Sequence, residues 1–90
     1  MVFEWDPAKA STNRLKHGVS FEEAASAFAD GRALDGPDLR HSSAEARFLR
    51  LASSEPGRVL VVAYTIRRKS SGETIRIISA RHASRKERPP

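Results

Sequence analysis

The segment 59–66 constrains the fold more than any other part of this 90-residue chain. It reads Val-Leu-Val-Val-Ala-Tyr-Thr-Ile, and a run so rich in β-branched residues predicts a strand. Alternation gives this strand one bulky face, which consists of Leu60, Val62, Tyr64 and Ile66. We expect that face to pack against helices. The polar segment 68–72 is turn-like, so residues 74–80 are predicted to pair with the strand as a hairpin.

The opening of the chain predicts a short strand and then a helix. Residues 3–5 alternate apolar and acidic side chains, as an edge strand does. Asp6 can cap a helix that starts at Pro7, because proline suits the first helical position. The helix is expected to run to His17 and to end at Gly18, since glycine tolerates a left-handed conformation.

A second helix is predicted from Ser20 to Asp30. Ser20 and Glu23 have the spacing of a capping box. The apolar residues that follow recur on one helical face, and they are Phe21, Ala24, Ala25 and Phe28. This stripe must face a core.

The order of the segments predicts an α+β fold. Further short elements are expected, namely strands at 33–35 and 46–52, a turn at 36–38 and a C-terminal helix at 81–88 before Pro89-Pro90. Two helices would then pack on one face of an antiparallel sheet, beside a short N-terminal strand. Ninety residues leave no room for a second core, so residues 1–90 are expected to form one domain.

Charge is concentrated in the second half of the chain. Residues 1–45 hold five Lys or Arg and eight Asp or Glu, a balance of −3. Residues 46–90 hold eleven against three, a balance of +8. A basic half of this kind suits RNA or DNA, and it equally suits an acidic protein partner.

Composition excludes several functional classes. No apolar run approaches the roughly 20 residues that span a bilayer, and residues 1–6 lack the pattern of a signal peptide, so neither a membrane protein nor export is expected. The absence of cysteine removes disulfides and thiolate sites and is compatible with the cytoplasm, where we expect the protein. The three histidines lack metal-ligand spacing, and no nucleotide-binding motif occurs, so we expect no metal and no cofactor.

A polar cluster lies on the first predicted helix. Asn13, Lys16 and His17 are three and four residues apart and share a face, with Asp6 near the same sector. Such a cluster can bind phosphate and move protons. It is equally consistent with a solvated helix face whose C-terminal cations favour the helix dipole.

Arg76 interrupts the apolar run of the second hairpin strand. Burial of an unpaired guanidinium is costly, so Arg76 must meet a carboxylate or face an open groove. The carboxylates available as partners are Asp6, Glu22 and Asp30. In a groove, Arg76 together with Arg67 and Arg81 would hold phosphate oxygens bidentately.

Positioned Lys, His and Arg side chains suit the cleavage of RNA. RNA carries its own nucleophile, the 2′-hydroxyl, so a base, an acid and phosphate-binding cations suffice and no metal is required.

Blocks along almost the whole chain resemble the BrnT toxins. The matching blocks are Phe3-Glu4-Trp5-Asp6-Pro7 with Lys9 and Asn13, Lys16-His17-Gly18-Val19-Ser20-Phe21, Glu22 with Ala24, Phe28 and Asp30, His41-Ser42, Glu45-Ala46-Arg47, Arg58 to Val62 with Tyr64-Thr65 and Arg67, and Ile75 to Arg81 before Glu87-Arg88.

This resemblance implies a RelE-like fold and a ribonuclease that arrests translation. It also implies neutralisation by a BrnA-type antitoxin with a ribbon-helix-helix part, operator DNA bound through that antitoxin, and a 2:2 complex. Free toxin is expected to be a monomer. The candidate catalytic residues are Lys16, His17, Arg67 and Arg81, and the candidate RNA-binding residues are Arg76, Asn13, Tyr64 and Asp6.

A second hypothesis is a non-catalytic, toxin-like module that only holds its antitoxin and co-regulates the operon. The family usually continues past the Arg-Glu-Arg stretch with a tyrosine-containing tail, whereas this chain ends at Pro89-Pro90. If that tail contributes to binding or catalysis, we expect a weaker nuclease. An RNA-cleavage assay separates the two hypotheses.

Overall fold

Two helices and five strands follow one another in the computed structural model, which describes residues 1–89. Their bounds are β1 Val2–Glu4, α1 Pro7–His17, α2 Phe21–Ser26, β2 Leu34–Pro37, β3 Phe48–Ser53, β4 Val59–Lys69 and β5 Gly72–His82. A 3₁₀ turn, Ala27–Ala29, continues α2. Neither helix of the described chain is long and apolar enough to cross a membrane. Pro90, the last residue of the predicted proline stop, lies outside the described residues.

The strands form one mixed sheet in the order β1-β5-β4-β3-β2. Neighbours from β2 to β5 are antiparallel, as predicted, but β1 runs parallel to β5, with Phe3 opposite Ile75. The predicted antiparallel meander is therefore confirmed, and the parallel direction of β1, which the sequence-based prediction left open, makes the sheet mixed. Alternation of side chains identifies a strand but not its direction. Strands joined by short loops must be antiparallel, whereas β1 lies far from β5 in sequence and is free of that constraint.

The bulky face of β4 packs on the helices, which confirms the alternation seen in the sequence. The buried core cluster is formed by the α1–α2 connection, α2, the 3₁₀ turn and the strands β4 and β5. It consists of Val19, Phe21, Ala24, Phe28, Leu60, Val62, Tyr64, Ile77 and Ala80. The rings of Phe28 and Tyr64 meet edge to face at 5.0 Å. Val61, Thr65 and Arg67 lie on the opposite side of β4, which we call the helix-free face.

The predicted helix ends are confirmed for α1. An Asp6 carboxylate oxygen accepts a 2.8 Å hydrogen bond from the Ala8 amide, and Pro7 occupies the first turn. Gly18 ends the helix with φ +69°, a left-handed conformation that strains any other residue, and its amide donates to Arg14.

The expected C-terminal helix at 81–88 is not formed. β5 continues to His82, which pairs with Leu60, and the Ala83 amide still donates to the Val59 carbonyl. The next residues form a turn, in which the Glu87 amide donates to the Ser84 carbonyl. Continued pairing with β4 therefore overrides the helical propensity of this basic segment.

The predicted turn at 36–38 is also wrong in part. Gly36 and Pro37 belong to β2 and pair with Leu49 and Phe48. Proline is tolerated there because β2 is the edge strand, where one side of the backbone needs no partner.

A β-bulge in β5 decides which side chains share a face. Ala63 pairs with Ser79 and Tyr64 pairs with Ile77, so Ile78 is an extra residue. Strict alternation would place Arg76 and Arg81, five residues apart, on opposite faces. With the extra residue, both lie on the helix-free face while Ile77 stays in the core.

The side chain of Asn13 joins α1 to β5. Within residues 1–89, β1 pairs only with residues 74–76, and no strand pairs with the edge of β5 from Ile77 to His82 on that side. We call this stretch the free edge. Asn13 is buried and donates from Nδ2 to the Ala80 carbonyl at 2.8 Å and to the Val19 carbonyl at 3.0 Å, while its Oδ1 accepts from the Ala80 amide at 3.1 Å. The amide thus replaces one peptide of a missing strand.

We predict that Asn13→Ala lowers the free energy of unfolding by about 2–4 kcal/mol, because it leaves the Ala80 amide and two buried carbonyls without partners. Urea denaturation measures this loss. Ser11→Ala, a polar-to-alanine change at an exposed position of the same helix, is the control and should be nearly neutral. Equal stability of the two variants would show that the Asn13 contacts are dispensable.

Candidate functional site

A groove separates α1 from the free edge of β5. Lys9, Thr12, Lys16 and His17 line it from the helix, and Ile78 and Ser79 line it from the strand. Helical spacing puts the four helix residues on one side of α1, which the Asn13 bonds turn toward β5. The described residues that line the groove include two lysines and a histidine and no carboxylate. Such a groove attracts anions.

Ser79 links this groove to the helix-free face. It pairs with Ala63, so it lies on the same face as Arg81, which pairs with Val61 two positions further along. Arg76 lies on that face on the other side of the bulge. The cationic side chains of α1 and of β5 therefore form one surface that turns around the free edge, which we call the cationic surface.

Arg76 meets the carboxylate of Glu4. Its Nη1 donates to Glu4 Oε2 at 2.7 Å, because β1 places Glu4 directly beside Arg76 in the sheet. Arg67 lies 3.8 Å and Lys69 3.4 Å from the same carboxylate. The hydrogen bond from Arg76 holds the pKa of Glu4 below its usual range, with help from the charge of Lys69. Three cations share this carboxylate, so the positive charge is only partly neutralised.

The partners that the sequence suggested for Arg76 lie elsewhere. Asp6 caps α1, and Asp30 accepts hydrogen bonds from the amides of Arg32 and Ser53. Glu22 is exposed on α2. The prediction of these partners is wrong, because the pairing of β1 with β5 brings Glu4 closer. The alternating segment 3–5 contained the relevant residue, but its neighbour in the sheet was unknown.

Arg81 is held by a carboxylate from the C-terminal turn. Its Nη1 and Nη2 donate to the two oxygens of Glu87 at 2.7 and 2.9 Å, and the Ser84 amide donates to Glu87 as well. The Arg81 guanidinium and the Ser84 amide lower the pKa of Glu87 to about 2. Sequence reasoning missed this pair, since a predicted helix over 81–88 would have directed the two side chains differently.

Arg67 lies on the helix-free face near the loop between β2 and β3. Its Nε is 3.6 Å from the carboxylate of Glu45, in addition to its approach to Glu4. Arg67 is 44% exposed, so one side of the guanidinium remains accessible. Arg67 and Arg76 lie on adjacent strands and both approach Glu4, so Arg67 extends the cationic surface beyond Arg76.

The structure gives three of the candidate residues other contacts. Asn13 uses its amide on the backbone of Val19 and Ala80. Tyr64 is buried on the helix side, and its hydroxyl donates to Asp35 at 2.6 Å. Burial and the Asp35 carboxylate raise the pKa of the Tyr64 hydroxyl. Asp6 caps α1. These three residues lie apart from the exposed part of the cationic surface, whereas Lys16, His17, Arg76 and Arg81 lie along it.

No cluster of three or more His, Asp or Glu side chains with the geometry of a metal site occurs in residues 1–89.

One conspicuous pair that sequence reasoning did not single out is His41 with Asp38. His41 Nδ1 lies 3.0 Å from the buried carboxylate of Asp38, within the loop that follows β2.

Comparisons with known proteins agree with this fold. The model of a family described as the ribonuclease toxin BrnT of type II toxin–antitoxin systems matches residues 5–87. Among solved structures, the 1.1 Å crystal structure of the Brucella abortus ribonuclease toxin BrnT is similar, with a TM-score of 0.67 and 23% sequence identity over 94% of this chain and 100% of that one. A search of curated proteins finds no match. The chain belongs to the BrnT family of ribonuclease toxins of type II toxin–antitoxin systems.

We predict that Glu4→Gln lowers the melting temperature at neutral pH, because the charged partner of Arg76 is lost. The pKa of Glu4 is lowered in the folded protein, so its contribution is complete above the unfolded-state pKa of about 4.5 and disappears as the pH falls through the folded value. The difference between wild type and variant should therefore shrink from pH 6 toward pH 3 in thermal melts at about unit steps of pH. Glu22→Gln, at an exposed position of α2, is the charge-matched control. A difference that does not depend on pH would contradict this role for Glu4.

Proposed function

We propose that this protein is an endoribonuclease that cleaves RNA without a metal ion and thereby inhibits translation. The observation that carries the proposal is the continuity of the cationic surface around the free edge of β5. Lys16 and His17 lie on one side of that edge, Arg76 and Arg81 lie on the other, and Ser79 joins them. In this proposal the proton-transfer groups and the phosphate-binding groups act on the same RNA backbone.

The reaction that fits these groups is internal transesterification of RNA. A base, either Lys16 or His17, removes the proton of a 2′-hydroxyl, and the 2′-oxygen attacks the adjacent phosphorus. The bond to the 5′-oxygen of the next nucleotide breaks, and the second of these residues supplies a proton to that oxygen. Arg81 donates hydrogen bonds to the phosphate oxygens as their charge increases. The products carry a 2′,3′-cyclic phosphate and a 5′-hydroxyl.

Arg67 and Arg76 are proposed to bind the neighbouring RNA backbone. Both lie on the helix-free face beside Glu4, and Arg67 is close to half exposed. Their guanidinium groups match phosphate oxygens bidentately. We assign Asn13 and Asp6 to the support of α1, and Tyr64 to the core, because their polar groups already have partners.

We also propose that the partner is a BrnA-type antitoxin in the cytoplasm, with operator DNA bound through its ribbon-helix-helix part in a 2:2 complex. Support comes from family membership and from the balance of +8 over residues 46–90, which suits acidic antitoxin segments. A RelE-like relationship of the fold remains a prediction. If the affinity of toxin for antitoxin does not change with salt concentration, charge does not contribute to their pairing.

A toxin-like binding module is the alternative, and one observation favours it. All three arginines proposed to bind phosphate contact carboxylates of the chain itself, Arg67 and Arg76 through Glu4 and Arg81 through Glu87. If these ion pairs never opened, the arginines could not bind phosphate, and the protein would bind an antitoxin without cleaving RNA.

The decisive experiment incubates the purified chain with a defined RNA in excess EDTA. We predict discrete fragments with 2′,3′-cyclic phosphate ends, and no cleavage at a site that carries a 2′-deoxy substitution. Arg81→Ala and His17→Ala should slow cleavage by about 100-fold or more, the range found when one charge-stabilising or proton-transfer group is removed.

Arg68→Ala is the matched control for this assay. Arg68 is exposed and pairs with Glu73 in the β4–β5 hairpin, away from the groove, so its loss should change the rate less than twofold. Intact RNA in the presence of folded wild-type protein, or cleavage only after Mg²⁺ is added, would contradict the proposal.

A further inference from the structure

The C-terminal segment 84–89 folds back onto the helix-free face. Glu87 reaches Arg81, the last residue but one of β5, and it borders a shallow depression over Leu49 and Val61. Pro89 borders a second depression over Leu51. The segment contains a turn and no helix or strand, so main-chain pairing does not hold it down beyond Ala83.

Glu87 binds Arg81 in the way that a phosphate would. Two guanidinium nitrogens donate side by side to two carboxylate oxygens, at 2.7 and 2.9 Å. Carboxylate and phosphate are the two anions that match this fork of donors. While Glu87 is in place, these two donors of Arg81 are not available to RNA.

The pair with Glu87 is more easily exchanged than the pair with Glu4. Glu4 belongs to β1 and is fixed beside Arg76 by strand pairing. Glu87 lies in a turn, and both it and Arg81 are about one-third to one-half exposed, at 35% and 44%. Water and RNA can therefore reach the Arg81–Glu87 pair without unfolding the sheet.

We propose that Glu87 is an internal competitor for the phosphate-binding site of Arg81, so that RNA must displace the C-terminal segment to bind. This inference rests on the proposed ribonuclease function. Displacement is an exchange, because phosphate oxygens of the RNA would replace both carboxylate oxygens of Glu87 at Arg81. Arg85, Lys86 and Arg88 are exposed on the same segment.

The test measures the affinity of RNA for the full chain by fluorescence anisotropy, with a 2′-O-methyl RNA that cannot be cleaved and at one salt concentration. Glu87→Gln keeps the size of the side chain and removes its charge. It should lower Kd about fivefold, which corresponds to the upper range for an exposed ion pair. In the Arg81→Ala background the same change should have no effect, because the competition acts through Arg81.

Glu73→Gln is the matched control. It makes the same change in net charge and also releases an arginine, Arg68, from an exposed ion pair, but far along the hairpin from Arg81. It should change Kd less than about twofold. Glu87→Asp, which shortens the carboxylate by one methylene, gives a second variant that should also tighten binding if the glutamine variant does not fold.

The outcomes separate the two proposals. If Glu87→Gln binds RNA no better than Glu73→Gln, Glu87 does not compete with RNA, and wild-type cleavage of RNA still supports the ribonuclease function. If the gain persists in the Arg81→Ala background, the competition through Arg81 is wrong and only a general charge effect remains. If neither wild type nor Glu87→Gln binds or cleaves RNA, both proposals fail.

Discussion

The hydrogen bonds between the Asn13 side chain and the Ala80 backbone are the contact on which the cationic surface depends. β1 has three residues and leaves the edge of β5 open, and the primary amide of Asn13 supplies the donor and acceptor that a further strand would supply. The same amide binds the Val19 carbonyl and so fixes the turn after α1. Because the orientation of α1 is set in this way, Lys16 and His17 lie beside the free edge of β5.

Much of this fold follows from local signals in the sequence. The bounds of α1, both helix caps and the hairpin of the two longest strands agree with capping residues, glycine and β-branched runs. These signals act over a few neighbouring residues, so the sequence contains them directly. The direction of β1 and the end of β5 depend instead on pairing between distant segments. The sequence did not predict the first, and its prediction of a C-terminal helix at 81–88 was wrong.

The candidate site shows the same division. Lys16 and His17 were recognisable from helical spacing, and Arg76 from its position in an apolar run, but the partners Glu4 and Glu87 come from sheet order and a turn. The bulge at Ile78 matters most, because it places Arg76 and Arg81 on one face, against simple alternation. Ile77 and Ile78 are identical in type, so the sequence does not show which of them is the extra residue of the bulge.

In the proposed complex, one RNA backbone lies across the free edge of β5 and contacts both the groove and the helix-free face. An NMR titration of ¹⁵N-labelled protein with 2′-O-methyl RNA tests it most directly. We predict that the signals that move belong to Lys16, His17, Ser79 and Arg81 and form one continuous patch. Shifts confined to the opposite edge of the sheet, at β2 and β3, or confined to only one side of β5, would contradict the claim.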